Sequence, residues 1–297
     1  MGVPSSAGAH GPGQEKAPAA LRQAGLLGAL TEAGIDVRDL GDLPIQRFVP
    51  DVLNRKRQSV LRVLKVTTEV ANAVHSAHER GLLPLVLGGD CTITLGVTAG
   101  LLREQTDLGL LYFDGDADLT TPDTTRSGIF DSMGIAHLIG KGAPELSHVG
   151  PRYPLLPEER IALFGFHPYE VEPEEQEILK HSLMLQYPVT GMGETPLNAA
   201  RDALTRLEER AGAIVVHFDV DVMDSAELPL ADWPHYDALA FGDAMRCLNL
   251  FVASPKLAAL VITEINPDHD PDGLLIRRFV DALAESLEPL AAAAAQR

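Results

Sequence analysis

The chain has 297 residues, two cysteines and a formal charge of −18, with 42 acidic against 24 basic side chains. That length buries a sizeable core in one large domain or two small ones, and a hydrophobic share of 45% is ordinary for a globular protein. The acidity excludes nucleic acid and anionic membranes as natural partners and suits a small cationic substrate, the two cysteines (Cys91 and Cys247) exclude a disulfide scaffold, and neither a membrane-length apolar run nor a basic-then-apolar leader is visible, which together predict a cytoplasmic protein.

In chain order, residues 1–16 are rich in Gly, Pro, Ser and Ala and read as a loop. Pro18 to Ala33 is a predicted helix, with Pro18 tolerable in its first turn, and Ile35 to Leu40 reads as a short strand. Ser59 to Glu79 carries a helical stripe of Val60, Val63, Leu64, Val70 and Val74, interrupted by Thr67. Leu82 to Leu87 is a buried strand that ends in Gly88-Gly89-Asp90-Cys91, and Thr92 to Glu104 is a helix. Leu108 to Phe113 is the next strand. Asp123 to Pro157 is loop-rich, with a helix near Ser132 to Ile139. Ile161 to Phe166 is a strand followed by a charged segment, and Leu183 to Leu185 a short one. Leu197 to Arg210 is a helix that leads into the strand Ala213 to Phe218. Phe241 to Ala253 is a helix, Leu257 to Thr263 a strand ending in Glu264, and Leu274 to Leu287 the last long helix before an Ala-rich tail over 289–297. No repeat or long linker divides the chain, so a single domain over 1–297 is expected. Strands alternating with helices predict an α/β fold, a three-layer α-β-α sandwich around a mainly parallel sheet.

In such a fold the carboxyl ends of the strands share one edge, where ligands bind. Four strands deliver polar residues there: Asp90-Cys91, Asp114-Gly-Asp116-Ala-Asp118, Asp219-Val-Asp221 and Glu264. One Asp-x-Asp after a strand is ordinary turn chemistry. Two such clusters are better explained by a cation, because carboxylates packed so closely resist ionisation unless something neutralises them. Oxygen donors favour Mg, Ca or Mn, with Zn or Fe open.

These motifs, in this order, resemble the ureohydrolase family of arginases, agmatinases, formimidoylglutamases and related amidinohydrolases. The family reads Gly-Gly-Asp-His, Asp-x-His-x-Asp, Ser-Phe-Asp-x-Asp and Glu-Val-Asn-Pro. Here the segments are Gly88-Gly89-Asp90-Cys91, Asp114-Gly-Asp116-Ala-Asp118, His217-Phe218-Asp219-Val-Asp221 and Glu264-Ile265-Asn266-Pro267. Gly2-Val3-Pro4 and Leu40-Gly41-Asp42 are also similar. In the family a strand precedes the Gly-x-Pro segment, so here the sheet either lacks that strand or begins differently. The resemblance implies the arginase-like sandwich, a homo-oligomer (trimer or hexamer), and two divalent ions, usually manganese, with a bridging hydroxide that attacks a guanidinium carbon. By position, Asp114 and Asp219 bridge the ions, Cys91 and Asp118 complete one shell, Asp116 and Asp221 the other, and Glu264 holds the guanidinium.

Three departures stand out. Cys91 and Asp116 replace the two ligand histidines, and Asp131 stands where arginases place a proton-relay histidine. Ile129 replaces an Asn that helps hold the arginine carboxylate, and Leu230-Ala-Asp-Trp233-Pro-His235-Tyr236 replaces a Gly/Thr/Pro-rich turn. Five carboxylates and a thiolate give −6 against +4, where the family has −4. Cys91 staying a thiol, Asp116 keeping a proton, or a single bound ion would each relax this excess, and a thiolate ligand favours Zn or Fe over Mn, with Ni also open. The expected activity is hydrolysis of a C–N bond in a linear amidine or guanidino compound. Asp131, or one of His137, His167 and His235, moves protons, with His235 the best placed of the histidines. Ser127 and Trp233 join Glu264 as candidate substrate contacts. The rival expectations are an inactive binding protein or subunit of the same fold, and metal-free amidine chemistry at Cys91.

Overall fold

The computed structural model describes residues 1–193 and 195–294. Its strands are β1 (Leu85–Leu87), β2 (Leu108–Phe113), β3 (Ile161–Phe164), β4 (Leu185–Tyr187), β5 (Ala213–Asp219) and β6 (Leu257–Thr263). They form one parallel sheet in the order β1-β6-β5-β2-β3-β4. Every residue of β2 and β5 is buried, because helices cover both faces of the sheet.

Side chains alternate across the sheet, and so do the two cores. Leu111, Phe113, Ile214, Val216, Phe218 and Ile262 face one layer of helices: α1 (Ala17–Gln23), α2 (Leu26–Glu32), α8 (Pro196–Glu208), α9 (Phe241–Val252) and α10 (Leu274–Ser286). Leu110, Tyr112, Val215, Leu163 and Val261 face the other: α3 (Val60–Glu79), α4 (Ile93–Leu101), α5 (Gly134–Leu138), α6 (Pro144–Ser147) and α7 (Pro173–His181). The three-layer sandwich expected from the sequence is the observed fold.

Several elements differ from expectation. The helix predicted over Pro18 to Ala33 breaks into α1 and α2 at Gly25, whose φ of 95° lies in the left-handed region that glycine tolerates. Ile35 to Leu40 forms no strand and joins no ladder. The pairing in this region belongs instead to Gly2, which bridges Asp42 and Leu87. Residues 1–13 are irregular, as expected, but much of the segment is buried: Val3 to Ala9 are buried, and the Met1 amine and Val3 N–H donate to the Leu85 and Leu87 carbonyls. The charged stretch after β3 is helix α7, and the strand expected at Leu183 to Leu185 begins two residues later as β4. The tail continues as α11 (Glu288–Ala294), and the rest of it lies outside the described residues. No described helix is long and apolar enough to cross a membrane.

Strand order positions the site. After β2 the chain builds outward through β3 and β4, and after β5 it builds the opposite way through β6. β2 and β5 are thus neighbours at the point where direction reverses, the crevice in which open parallel sheets bind ligands. Phe113 is level with Phe218, so Asp114 and Asp219 leave the sheet side by side.

Candidate functional site

Asp114 and Asp219 make the same turn. Asp114 Oδ1 accepts the Asp116 N–H at 2.7 Å, and Asp219 Oδ1 accepts the Asp221 N–H at 2.9 Å. Each is thereby left with its Oδ2 facing inward. Cys91, at the start of α4, donates its thiol to Asp219 Oδ2 at 2.6 Å, and Asp114 Oδ2 lies 3.9 Å from the sulfur. His217 Nε2 enters from β5, 3.2 Å from Asp114 Oδ2 and 4.0 Å from Asp219 Oδ2. Its ring is fixed on two sides: Nδ1 pairs with Thr94 Oγ1 at 2.7 Å, and the plane stacks on its cross-strand partner Tyr112 at 4.1 Å. Cys91, Asp114, His217 and Asp219 present ligand atoms all within 4.8 Å of one another.

A second group of the same compactness joins Asp116, Asp221 and His235. Asp221 Oδ1 accepts the Gly115 N–H at 3.0 Å. His235 is fully buried, with Nδ1 paired to Glu170 Oε2 at 2.9 Å. Its Nε2 points between Asp116 Oδ2 at 3.4 Å and Asp221 Oδ2 at 3.7 Å and has no hydrogen-bond partner. Gly115 makes room for the ring, since a Cβ there would meet His235 Cδ2 at 2.5 Å.

Around these groups lies a cavity of about 340 Å³. Asp131 and Glu264 sit with Cys91 in a third compact group on its wall. Asp131 Oδ1 accepts the Cys91 N–H at 2.8 Å. Glu264 Oε2 accepts from Gln14 Nε2 at 2.6 Å, while its buried Oε1 has no partner. Thr125, Arg126, Ser127, Glu170, Glu172 and Glu174 also line the cavity, and Arg126 reaches Glu172 at 3.2 Å. Trp233 lies at the rim, 56% exposed and stacked near His10 at 5.8 Å, so it does not serve the core.

Burial, reinforced by neighbouring carboxylates, pushes the Asp114, Asp118, Asp219 and Glu264 carboxyls well above their usual range. Asp131 is pushed up as well, by loss of solvation and then by Asp90. The Cys91 thiol is driven far up by burial and then by Asp219, which works against a free thiolate where no cation is bound. His217 is lowered to about 3 by burial. Burial also opposes a charged His235, but Asp116 and Asp221 outweigh it and push that imidazole up to about 12.

All six residues expected to ligate metal come to this edge, but not in the expected grouping. Asp118 accepts a hydrogen bond from the Tyr112 hydroxyl and belongs to neither donor group. His235 lies behind Asp116 and Asp221 rather than on the open wall, a poor position for passing protons to a leaving group. His137 is buried in α5 with Nδ1 on the Met133 carbonyl, away from the cavity lining. His217 had no role in the sequence reading, although two-residue alternation along a strand puts it on the face of Asp219. Gln14 and Glu170 had none either, and no local pattern marks them.

The parallel sheet, its reversal between β2 and β5, and the paired carboxylate turns at that reversal define a ureohydrolase-type α/β protein. The chain belongs to the arginase family, whose model matches residues 1–287. It is 29% identical over 273 residues to an arginase of Bacillus caldovelox, covering 90% of each chain. Its fold matches the crystal structure of an arginase from Bacillus cereus with a TM-score of 0.87 at 24% identity, covering 97% of this chain and 96% of that one. It also matches a formimidoylglutamase from Bacillus subtilis with a TM-score of 0.76 at 18% identity, covering 98% and 85%.

Proposed function

We propose that the chain is a metal-dependent hydrolase that cleaves a C–N bond in a small, cationic guanidino or amidino compound. The observation that carries this reading is the pair of donor groups beside a cavity lined by Glu264, a carboxylate whose buried Oε1 has no partner.

The residues fit two divalent ions. Cys91, Asp114 and Asp219 would hold one, and Asp116 with Asp221 the other. The unpartnered His235 Nε2 aimed into the second group and the space kept by Gly115 support a cation there. Bound ions supply Lewis acidity, which makes water a nucleophile at neutral pH.

The remaining chemistry belongs to the chain. Glu264 is held through Oε2 by Gln14, so Oε1 is free to take an N–H of a planar cation, the charge-assisted contact that suits a guanidinium. Asp131 spends Oδ1 on the Cys91 N–H, and its raised pKa lets Oδ2 carry a proton to a leaving amine. Ser127 and Trp233 at the mouth would orient the substrate tail. The acidic rim draws cations in.

The test is to supply purified protein with Mn, Zn, Fe, Ni and Co in turn, measure bound metal, and screen guanidino and amidino compounds for amine or urea release. Turnover that disappears on chelation and returns with metal is the expected result. Full metal content with no turnover of any such compound would make the chain a binding protein of this fold instead.

A further inference from the structure

We infer that His217 and His235 are the imidazole ligands of the two metal centres, in place of the family histidines that this chain lacks at positions 91 and 116. This rests on the proposed reading that the site holds metal.

Each imidazole has the surroundings of a ligand. A metal-binding histidine commonly gives its other ring N–H to a carboxylate or similar acceptor, which fixes the tautomer and aims the free nitrogen. His235 does this with Glu170 at 2.9 Å, and its buried Nε2 is left facing Asp116 and Asp221. His217 does it with Thr94 at 2.7 Å; a hydroxyl accepts as readily as it donates, so Nε2 is able to present its lone pair. Without an ion, Asp116 and Asp221 favour a proton on His235 Nε2, and a bound ion would take that proton's place.

The substitutions then form two compensated exchanges. At the first centre a thiol occupies position 91, and the imidazole enters from β5 two residues before Asp219. At the second a carboxylate occupies position 116, and the imidazole arrives on the 230–236 segment, over a glycine that leaves it space. Asp118, which accepts from Tyr112 through Oδ2, lies outside both groups, so the two contain four carboxylates and one thiolate, −5 against +4, a smaller excess than the sequence alone implies.

The two centres are also chemically unequal. One offers sulfur, imidazole and two carboxylates, a set that favours Zn, Fe or Co over Mn. The other offers one imidazole and carboxylates only, a harder set.

Cobalt(II) reads both centres without reference to activity. The full chain and its Cys91→Ser, His217→Asn and His235→Asn variants would be loaded with Co(II), desalted, and assayed for bound metal and for the thiolate-to-cobalt charge-transfer absorption. X-ray absorption at the cobalt edge of the unmodified protein would count imidazoles. The expected result is about two cobalt ions per chain, each with one imidazole, and a thiolate band. Loss of His235 should remove one ion and leave the band. Loss of His217 should weaken the thiolate-bearing centre by at least about tenfold. Two ions with an unchanged spectrum in both histidine variants would overturn the inference. So would cobalt without imidazole in the unmodified protein, a result that does not depend on any variant folding. Either outcome leaves the metal reading standing, whereas an unmodified protein that takes up no metal would remove both.

Discussion

Two of the four non-glycine residues with positive φ among the described residues, Asp118 at 48° and Glu264 at 64°, line the cavity. Strain of this kind persists where surrounding structure holds it, and it collects at functional sites. At Glu264 the holding contacts are the Glu264 N–H on the Gly89 carbonyl and Oε2 on Gln14. Replacing that carboxylate with a neutral amide keeps the shape and removes the charge. Glu264→Gln is therefore expected to leave metal content intact and raise KM for a guanidino substrate about tenfold to a hundredfold, the range for losing a hydrogen bond to a charged group. An unaltered KM would take Glu264 out of the substrate site. Gly115 makes a sharper test of how the second donor group is built. A Cβ there must displace the His235 ring, so Gly115→Ala should lower metal content at the Asp116 centre while costing little elsewhere. Equilibrium dialysis checks this, and full occupancy would show that the ring adapts.

At the scale of elements, packing of α3 on α4 explains an oddity of the sequence. Thr67 interrupts the apolar stripe of α3, yet it is fully buried, with Oγ1 bonded to the Val63 and Leu64 carbonyls of its own helix. Opposite it lies Gly96 of α4, where a Cβ would approach the Thr67 carbonyl at 2.6 Å and Val70 Cβ at 2.7 Å. The helices meet backbone to backbone, and α4 carries Cys91 at its start. Gly96→Val should cost about 1–3 kcal/mol through overpacking and shift the urea midpoint down by a matching amount. A change below about 0.5 kcal/mol would mean that the helices separate freely. The same elements show what was legible. β2, β5 and β6 were visible because strands buried on both faces are continuous apolar runs. Helix α7 was not, because its sequence is mostly polar and it buries only Glu175 and Leu179. Its signals are a proline in the first turn and a Glu172/Glu175 capping box, both weaker than an apolar stripe.

For the whole molecule, the carboxylate clusters were legible because one strand ends in each. Their imidazole companions were not, since His235 reaches the site from 119 positions beyond Asp116 and Gln14 meets Glu264 across 250 residues. Distance along the chain hides such contacts, and it also hides where the molecule stores its pH dependence. His137 is fully buried beside Phe130 at 5.4 Å, with Nδ1 on the Met133 carbonyl at 2.6 Å and Nε2 unpartnered. Burial lowers it to about 4 from 6.5. Between those values the unfolded chain binds a proton that the native chain refuses, so stability rises with pH there. The contribution is full above 6.5 and is lost as pH falls toward 4, amounting to about 2 kcal/mol between pH 7 and pH 5. His137→Phe keeps a ring in the same space and cannot titrate. Any packing cost of the larger ring offsets its whole stability curve without altering the slope. Urea unfolding of the two proteins at pH 7 and pH 5 should show the wild type losing about 2 kcal/mol more than the variant. Parallel losses would mean that His137 takes up its proton in the native chain as readily as in the unfolded one, so that burial beside Phe130 does not hold its pKa down.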